Sequence, residues 1–270
     1  MLKVKNLSKK YTNFCLDNIS FEIAKGDVVG LIGRNGAGKS TLIKSILAIN
    51  DFDGEIFIDG NPSTSHFAKQ LLGYSAGEFN YYKLQKLKNI TKIVKKFYPT
   101  WDENVYKNYL QKFNLDENKK VKELSSGMKV KYSILLQLAH NPKLLILDEP
   151  TSGLDPVSRE EILDIILQIS KRGVTVLFST HITSDVEKVA DKIIFIKNGK
   201  IVFCESQDEL NYYLISLNSI QEADMISTRI FGLKETKNGY EGLILENIKG
   251  FNLRKATLDE IMVHLEVENE

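Results

Sequence analysis

The fold of this chain is decided by the stretch GLIGRNGAGKSTLIKSI at residues 30–46. Its central part, GRNGAGKST at 33–41, matches the pattern G-x-x-x-x-G-K-[ST]. An apolar run at 27–33 precedes the motif, and a segment with one apolar helix face follows it. A strand, a glycine-rich turn and a helix in this order are the context that this phosphate-binding motif requires.

The residue types of this loop suit a polyphosphate. Gly36 and Gly38 let backbone N–H groups approach phosphate oxygens, and the helix that follows directs its positive end at the same anion. Lys39 supplies a charge for the β- and γ-phosphates, and Ser40 supplies a hydroxyl for Mg²⁺. The predicted binding residues of the loop are Gly33, Asn35, Gly36, Gly38, Lys39, Ser40 and Thr41.

Two further apolar runs end in polar residues. KLLILDEP at 143–150 ends with two acids, which are costly to bury unless a cation or a water occupies them. We assign Asp148 to the metal and Glu149 to the general base that polarises the attacking water. VTVLFSTH at 174–181 ends with His181, which we expect to donate towards the γ-phosphate. The other histidines, His66, His140 and His264, lack such support and are interpreted as structural.

Short apolar runs alternate with helical patterns over residues 1–200, which predicts an α/β core. The runs at 27–33, 143–150 and 174–181 are apolar throughout, as in central parallel strands, and 54–60 predicts a short strand. Residues 84–140 predict helices that are broken at FYPTWD, where proline prevents continuation.

The pattern changes after residue 204. Residues 227–246 predict a hairpin around Asn238-Gly239. Thr257 and Glu260 form a capping box ahead of a helix through residue 265. We therefore expect a small α+β appendage from about residue 205 onward.

Composition limits the functional classes. Hydrophobic residues make up 43% and charged residues 26% of 270 residues, as in a soluble globular protein, and the net charge is +1. The spacing of Cys15 and Cys204 predicts neither a disulfide framework nor a zinc site. Neither a membrane-spanning run nor a signal peptide is predicted. Any membrane role is therefore expected to go through a partner.

Charge is unevenly distributed. Residues 83–122 carry eleven lysines against four acids, whereas residues 205–270 carry thirteen acids against six bases. Either segment can be an ordinary solvated face. The basic segment can instead face an anionic lipid leaflet or an acidic partner.

The motifs GRNGAGKST, LSSGMK, LLILDEP, SGLD and FSTH, in this order, resemble those of an ATP-binding subunit of an ABC transporter. The resemblance covers roughly residues 1–205. It implies an α/β P-loop NTPase fold with a RecA-like core, an antiparallel β subdomain and a helical subdomain at about 78–140, with an accessory domain at 206–270. It also implies ATP hydrolysis with ATP and Mg²⁺ as ligands.

The stretch KELSSGMKVK at 122–131 raises a question, because two lysines lie in the opening turns of a helix whose N-terminus disfavours positive charge. In the family, this signature segment contacts the γ-phosphate of ATP held by another subunit. The resemblance therefore assigns Ser125 and Gly127 to that phosphate. Ser126 replaces a family glycine, which is tolerable at negative φ, and Met128 replaces a glutamine donor.

The resemblance also implies an aromatic residue that stacks on adenine. Tyr11 fits by position, and Phe14 is the alternative. Asp155 is expected at the dimer interface near the partner's phosphate loop. Gly77 occupies the position of a family glutamine that joins Mg²⁺, water and permease, and we hypothesise that the adjacent Glu78 takes over that role.

The implied partners are an integral-membrane permease and a second ATP-binding subunit, identical or related, with no nucleic acid. The implied location is cytoplasmic, on the inner face of the cell membrane. FYPTWD, SSGMK and the C-terminal segment resemble exporter ATPases of the ABC-2 type. Within these, the chain resembles the branch found with GntR-type regulators, which includes exporters of phenol-soluble modulins.

Two alternatives remain open. One is a soluble ABC ATPase of DNA maintenance, translation or cofactor assembly. The chain has neither the long heptad insertion of chromosome-type members nor the second ATPase unit of translation factors. The other is a regulatory subunit with poor hydrolysis, motivated by Gly77 and Met128.

Overall fold

The computed structural model describes residues 1–226, 229–248 and 250–267. They form two compact units, Met1–Cys204 and Glu205–Glu270. Among the helices of the described residues, none combines the length and the apolar character needed to cross a membrane.

The first unit alternates short strands with helices. Its strands are β1 (Leu2–Lys10), β2 (Cys15–Ile23), β3 (Val28–Ile32), β4 (Asp53–Ile58), β5 (Asn61–Pro62), β6 (Leu72–Ser75), β7 (Leu144–Asp148), β8 (Thr175–Thr180), β9 (Lys192–Lys197) and β10 (Lys200–Ser206), the last of which runs into the second unit. Its α-helices are α1 (Lys39–Ile46), α2 (His66–Gln70), α3 (Leu87–Val94), α4 (Glu103–Lys112), α5 (Ser126–Leu138), α6 (Pro156–Ser170) and α7 (Thr183–Val189). The predicted apolar strands and the helices between residues 84 and 140 are confirmed.

The central sheet has the strand order β10-β9-β3-β8-β7-β6, and the pairs among β6, β7, β8, β3 and β9 are parallel. Every residue of β3 and of β8 is buried, as predicted for strands covered on both faces. Because these strands are parallel, their carboxyl ends meet at one edge. In open α/β sheets that edge is where ligands bind.

A second, antiparallel sheet has the order β2-β1-β4-β5. Helix α1 contributes Leu42, Ile43 and Ile46 to one core cluster that also contains Leu2 of this sheet and Leu177 of the central sheet. Burying a side chain of this size contributes about 1.5–3 kcal/mol. The helix that follows the phosphate loop is therefore fixed by both sheets.

The helical segment between β6 and β7 is tied together by a buried tyrosine. Tyr132 of α5 donates its hydroxyl to the carbonyl of Leu87 at 3.0 Å, and the Thr91 hydroxyl lies 3.1 Å away. Helices α3 and α5 are thus joined by a polar contact inside an apolar interior.

Helix α4 begins at an Asp102 cap, just after the break that Pro99 predicted. The Asp102 carboxylate accepts from two backbone N–H groups.

Within its described residues, the second unit has a four-stranded antiparallel sheet and two α-helices. Its elements are β11 (Tyr213–Leu217), α8 (Ile220–Asp224), β12 (Phe231–Thr236), β13 (Gly239–Ile244), β14 (Asn252–Lys255) and α9 (Leu258–Val267), and the strand order is β12-β13-β11-β14. The predicted hairpin is confirmed for β12 and β13, and residues 227–228 of that prediction lie outside the described residues. The predicted capping box is confirmed, because Thr257 N donates to Glu260 Oε2 at 2.9 Å and Glu260 N donates to Thr257 Oγ1 at 3.3 Å.

Acid is expected to loosen helix α9. Arg254 donates two hydrogen bonds to Glu260, one of them at 2.7 Å, and these bonds lower the pKa of Glu260 from 4.5 to about 2. A lowered folded-state pKa gives stability that is present above 4.5 and is lost as the pH falls towards 2. Hydrogen exchange of the α9 amides, corrected for intrinsic rates, should show less protection in that acid range.

In the variant Glu260→Gln, the α9 amides should already be less protected from hydrogen exchange at neutral pH. They should lose little further protection on acidification. Asp259→Asn, at the exposed neighbouring position, is the matched control and should behave like the parent. Equal acid sensitivity of Glu260→Gln and the parent would contradict the assignment.

Candidate functional site

A cleft of about 680 Å³ opens beside the phosphate loop and the residues that follow β7 and β8. It is lined by Asn13, Phe14, Arg34, Asn35, Gly36, Gly38, Lys39, Ser40, Thr41, Glu149, Ser152 and His181. The structure thus brings most of the predicted loop residues together with Glu149 and His181. The predicted residues that do not line the cleft are Tyr11, Gly33, Glu78, Ser125, Gly127, Asp148 and Asp155.

The phosphate loop is ordered by its own lysine. Lys39 Nζ donates to the carbonyl of Gly33 at 2.6 Å and lies 3.6 Å from Glu149 Oε1, with only 6% of the lysine side chain exposed. Helix α1 begins after Gly38, whose φ is +116° and which offers no side-chain cap. A Cβ at Gly38 would lie 2.9 Å from Phe14 Cζ. The first N–H groups of α1 therefore lack a capping side chain beside the cleft, as an anion site requires.

The acids at the end of β7 are held by the neighbouring strand. Asp148 pairs in register with Ser179 of β8, and Ser179 Oγ donates to Asp148 Oδ1 at 2.5 Å. Ser179 Oγ also accepts from the backbone N–H of Glu149 at 3.0 Å. Glu149 itself has φ +52°, an unfavourable conformation for a non-glycine residue that is often found at functional sites. The backbone turn at Glu149 aims its side chain into the cleft.

Glu149 and His181 form a direct pair. His181 Nδ1 lies 2.9 Å from Glu149 Oε2, and about half of the histidine side chain is exposed. This contact leaves Nε2 of His181 as the ring nitrogen available to another group. A carboxylate and an imidazole are therefore joined at the cleft wall, where a general base and a phosphate-contacting donor were predicted.

The oxygen donors of the site fit Mg²⁺. Among the described residues, no cluster of three or more His, Cys, Asp or Glu side chains could hold a metal by itself. Mg²⁺ bound to a nucleotide needs only one or two protein oxygens, since phosphates and waters complete its shell. The Ser40 hydroxyl and the Asp148 carboxylate are such donors. With phosphates bound, they would hold the ion, whose positive charge would stabilise the charge that develops on the phosphoryl group.

Comparison with known proteins identifies the family. A model described as ABC transporter matches residues 16–152. The chain is 31% identical over 229 residues to the ABC transporter ATP-binding protein YtrB of Bacillus subtilis, covering 83% of this chain and 78% of YtrB. The chain belongs to the ABC transporter family. It is also 37% identical over 212 residues to the lantibiotic transport ATP-binding protein SrtF of Streptococcus pyogenes, covering 77% of this chain and 92% of SrtF.

Solved structures agree with this assignment. An ATP-binding subunit of an ABC transporter superimposes with a TM-score of 0.70 at 29% identity, covering 77% of this chain and 91% of the other. The dimeric cassette MJ0796 bound to ADP and Pi superimposes with a TM-score of 0.67 at 25% identity, covering 76% and 98%. This ABC protein therefore has the P-loop ATPase fold, binds ATP and is an ATP hydrolase of the ABC type.

The signature segment begins α5. Ser125 caps the helix by accepting from Met128 N at 3.2 Å, and Ser126 is already helical, so its φ is negative as the substitution requires. A Cβ at Gly127 would lie 2.9 Å from Ser158 Oγ of α6. A side chain at position 127 would press on the Ser158 side chain, so glycine favours the close approach of the two helix starts.

The two lysines of this segment have acidic partners in the same chain. Lys129 Nζ lies 3.6 Å from Glu78 Oε2, and Lys131 Nζ lies 2.8 Å from Glu161 Oε2. Each of the two lysines that raised a question in the sequence therefore has a carboxylate of the same chain nearby. The unfavourable charge at the helix start is offset internally.

Glu78 lies against α5 and does not line the nucleotide cleft. A hydrogen bond from Ser126 is the main cause that lowers the pKa of Glu78, with Asn80 and Lys129 adding to it. The preceding Gly77 lies close to the acids, because a Cβ there would be 3.3 Å from the Glu149 carbonyl oxygen. Residues 77–78 thus connect the strand end that carries Glu149 with the signature segment. A direct role of Glu78 at the metal or water stays a prediction.

The aromatic side chain on the cleft wall is Phe14, the alternative to Tyr11. Tyr11 is 43% exposed, and its hydroxyl accepts from Asn50 at 3.2 Å. Lys9 Nζ lies over the Tyr11 ring, 5.4 Å from its centre. The geometry therefore favours Phe14 for contact with adenine. Sequence position alone could not separate two aromatics three residues apart in one turn.

A buried carboxylate that sequence reasoning missed ties two loops of the site together. Asp185 is fully buried, and it accepts from Thr151 Oγ1 at 2.6 Å and from Arg159 Nε at 2.5 Å. Thr151 follows Glu149, and Asp185 follows His181. Helix α6, which carries Arg159, begins at Asp155, whose exposed carboxylate caps it by accepting from two backbone N–H groups. The loops behind the two catalytic candidates are thus joined below the cleft.

Replacement of Asp185 by asparagine should impair turnover more than binding. The amide would keep the shape of the side chain but weaken both charge-assisted bonds, so His181 and Glu149 lose their fixed separation. We expect kcat to fall about 10- to 100-fold, the range that small misplacements cause, with KM for ATP changed much less. Steady-state ATPase assays give both constants. The exposed Asp164→Asn is the control, and a parental kcat in Asp185→Asn would exclude this positioning role.

Proposed function

We propose that this chain is the ATP-hydrolysing subunit that powers a separate membrane permease, in an exporter of peptides or other amphipathic compounds. One observation carries the proposal. Ser125 and Gly127 of the signature segment do not line the nucleotide cleft of their own unit. In our proposal, the cleft and the signature segment therefore belong to opposite halves of an ATP site. A second copy, or a related chain, supplies the missing part.

Different residues of the cleft bind the phosphates, hold the metal ion and activate the water. Lys39 and the N–H groups of the phosphate loop bind the β- and γ-phosphates, and Ser40 and Asp148 hold Mg²⁺. Glu149 orients and polarises the attacking water, and His181 donates towards the γ-phosphate. The 2.9 Å contact between His181 and Glu149 supports a shared task at the reacting phosphoryl group.

Two chains meet head to tail around the nucleotide. Ser125, Gly127 and the N-terminus of α5 contact the γ-phosphate held by the partner, and Asp155 lies near the partner's phosphate loop. A shift from mostly open to mostly closed dimers needs a difference in affinity of about 5.5 kcal/mol. Hydrogen bonds to a charged phosphate contribute about 1.5–3 kcal/mol each, so a few such bonds suffice. Hydrolysis removes the bridging group and releases the partner.

An apolar groove suits a cytoplasmic helix of the permease. The groove has a volume of about 220 Å³ and is lined by Ile46, Leu47, Ile58, Ser63, Lys69, Leu72, Tyr74, Tyr98 and Gln137. Ile49, Phe67 and Phe97 are each more than half exposed on the segments beside it. Gln70 Nε2 donates to the Phe97 carbonyl at 3.5 Å and joins two of these segments. The permease then holds the chain at the cytoplasmic face of the membrane.

The similarity to SrtF, named for lantibiotic transport, supports export of a peptide. The resemblance of the FYPTWD and SSGMK segments to ABC-2 exporters points the same way, and phenol-soluble modulins are the class of peptide that we propose. The similarity to one relative extends over the C-terminal unit, since the uncharacterized ABC transporter ATP-binding protein YhaQ of Bacillus subtilis is 30% identical over 288 residues, covering 98% of this chain and 96% of YhaQ.

A soluble ABC ATPase uncoupled from transport is the competing function. It shares the cleft but needs no membrane partner. Purification from detergent-extracted membranes separates the two, because a transport subunit carries its permease through the purification and a soluble ATPase does not.

The variant Glu149→Gln of the purified chain should abolish ATP turnover and trap an ATP-dependent dimer. The amide cannot act as the base, while the residues that bind phosphate are intact. Phosphate release and sedimentation velocity with ATP measure the two effects. The exposed Glu235→Gln is the control and should keep parental turnover. Hydrolysis by Glu149→Gln at the parental rate would refute its role as base.

Alanine at Glu78 should reduce the stimulation of ATPase activity by the permease severalfold. The substitution removes the carboxylate that binds Ser126 and Lys129, so the link from residues 77–78 to the signature segment is lost. The measurement compares ATPase rates with and without reconstituted permease. Asp164→Ala is the control. Unchanged stimulation in Glu78→Ala would show that Glu78 has no coupling role.

A further inference from the structure

Two lysine-rich segments that are about 30 residues apart in sequence form a short ladder in the helical segment. Lys86 and Lys120 form an antiparallel bridge, and Lys122 N donates to the Lys83 carbonyl at 3.0 Å. Leu87 N donates to the Lys119 carbonyl at 3.0 Å. We name the six lysines on these segments the basic ladder: Lys83, Lys86, Lys88, Lys119, Lys120 and Lys122.

The lysine side chains of the basic ladder form no ion pairs among the described residues, although Glu123 Oε2 accepts from the backbone N–H of Lys120 at 2.6 Å. Across the described residues, none of its six ammonium groups lies within ion-pair distance of a carboxylate, and Lys88 Nζ donates to the neutral amide oxygen of Asn118 at 2.9 Å. By contrast, Lys95 in the same helical segment pairs with Glu103 at 3.1 Å. Like charges opposite each other across an antiparallel pair are destabilising. The chain therefore keeps a local concentration of positive charge that an external anion would stabilise.

Exposed apolar side chains are interleaved with these lysines. Tyr81, Tyr82 and Leu84 are 65%, 70% and 68% exposed, in the sequence YYKLQKLK at residues 81–88. Tyrosine and lysine side chains combine an apolar body with a polar tip and are favoured where hydrocarbon meets headgroups. Nucleic acid or a purely acidic peptide would neutralise the lysines but would leave the aliphatic Leu84 in water.

We propose that the basic ladder, with Tyr81, Tyr82 and Leu84, docks on an anionic phospholipid leaflet. Lysines neutralise lipid phosphates, while the aromatic and aliphatic side chains enter the interfacial layer. This contact with lipid goes beyond the proposed function. It would add a second attachment besides the permease and orient the helical segment towards the membrane.

The test uses the full purified chain and no permease. Vesicles of phosphatidylcholine mixed with phosphatidylglycerol should sediment the chain, vesicles of phosphatidylcholine alone should not, and high salt should release it. The triple variant Lys119→Gln, Lys120→Gln and Lys122→Gln should bind about 100-fold more weakly, since each lysine near an anionic surface changes affinity about fivefold.

A control variant has the same change in net charge. Lys10→Gln, Lys171→Gln and Lys237→Gln alter three exposed lysines elsewhere and should bind vesicles like the parent. ATPase activity without vesicles checks folding, because the ladder lies outside the nucleotide cleft. If the first triple variant fails to fold, Lys83→Gln with Lys86→Gln replaces it.

Three outcomes would overturn the proposal. The first is no sedimentation with phosphatidylglycerol vesicles, and the second is equal loss of binding in the ladder and control variants. The third is vesicle binding that is unaffected by the ladder variants, which would leave the ladder to another anionic partner, such as an acidic segment of the permease. None of these outcomes alters the expected ATPase of the Glu149 and Asp185 variants, so the proposed function is judged separately.

Discussion

The parallel register of β7 and β8 determines the geometry of the whole site. It sets Asp148 opposite Ser179, and the Ser179 hydroxyl bonds both the Asp148 carboxylate and the Glu149 backbone. A slip of one residue would turn every side chain of β7 to the other face of the sheet. The proposed metal ligand and the candidate base are therefore positioned by the same ladder of backbone hydrogen bonds that forms the core.

Below this edge, helix α1 connects the packed core with the phosphate loop and so fixes the position of the loop. Its apolar face is buried against both sheets, while its first residues, Lys39 and Ser40, line the cleft. Desolvation of Lys39 strengthens its electrostatic interactions, because the effective dielectric is lower there than in water. The eight residues of this one helix thus serve both the packing of the core and the binding of phosphate. A substitution that shifts the helix in the core also shifts the phosphate loop.

Local patterns in the sequence were sufficient for the strands, the phosphate loop and the acids, because each of these features is contiguous and has one periodicity. They were not sufficient where the partner is distant in sequence. Lys129 and Lys131 are paired with Glu78 and Glu161, which helical periodicity cannot reveal. Asp185 was missed because its partners Thr151 and Arg159 are 34 and 26 residues away in sequence. Phe14 and Tyr11 lie in one turn, and only the folded turn shows which of them lines the cleft. Ser179 was missed as well, because the runs that form β7 and β8 were predicted as central parallel strands without their order or register.

The close contact between Gly127 and Ser158 has a mechanical consequence. Only the Ser158 side chain separates the starts of α5 and α6 at this point, so a larger residue at position 127 would push the two helix starts apart. Ser125 caps one of these helices and Asp155 caps the other. The spacing of the two surfaces that are proposed to meet a neighbouring subunit therefore depends on this single contact.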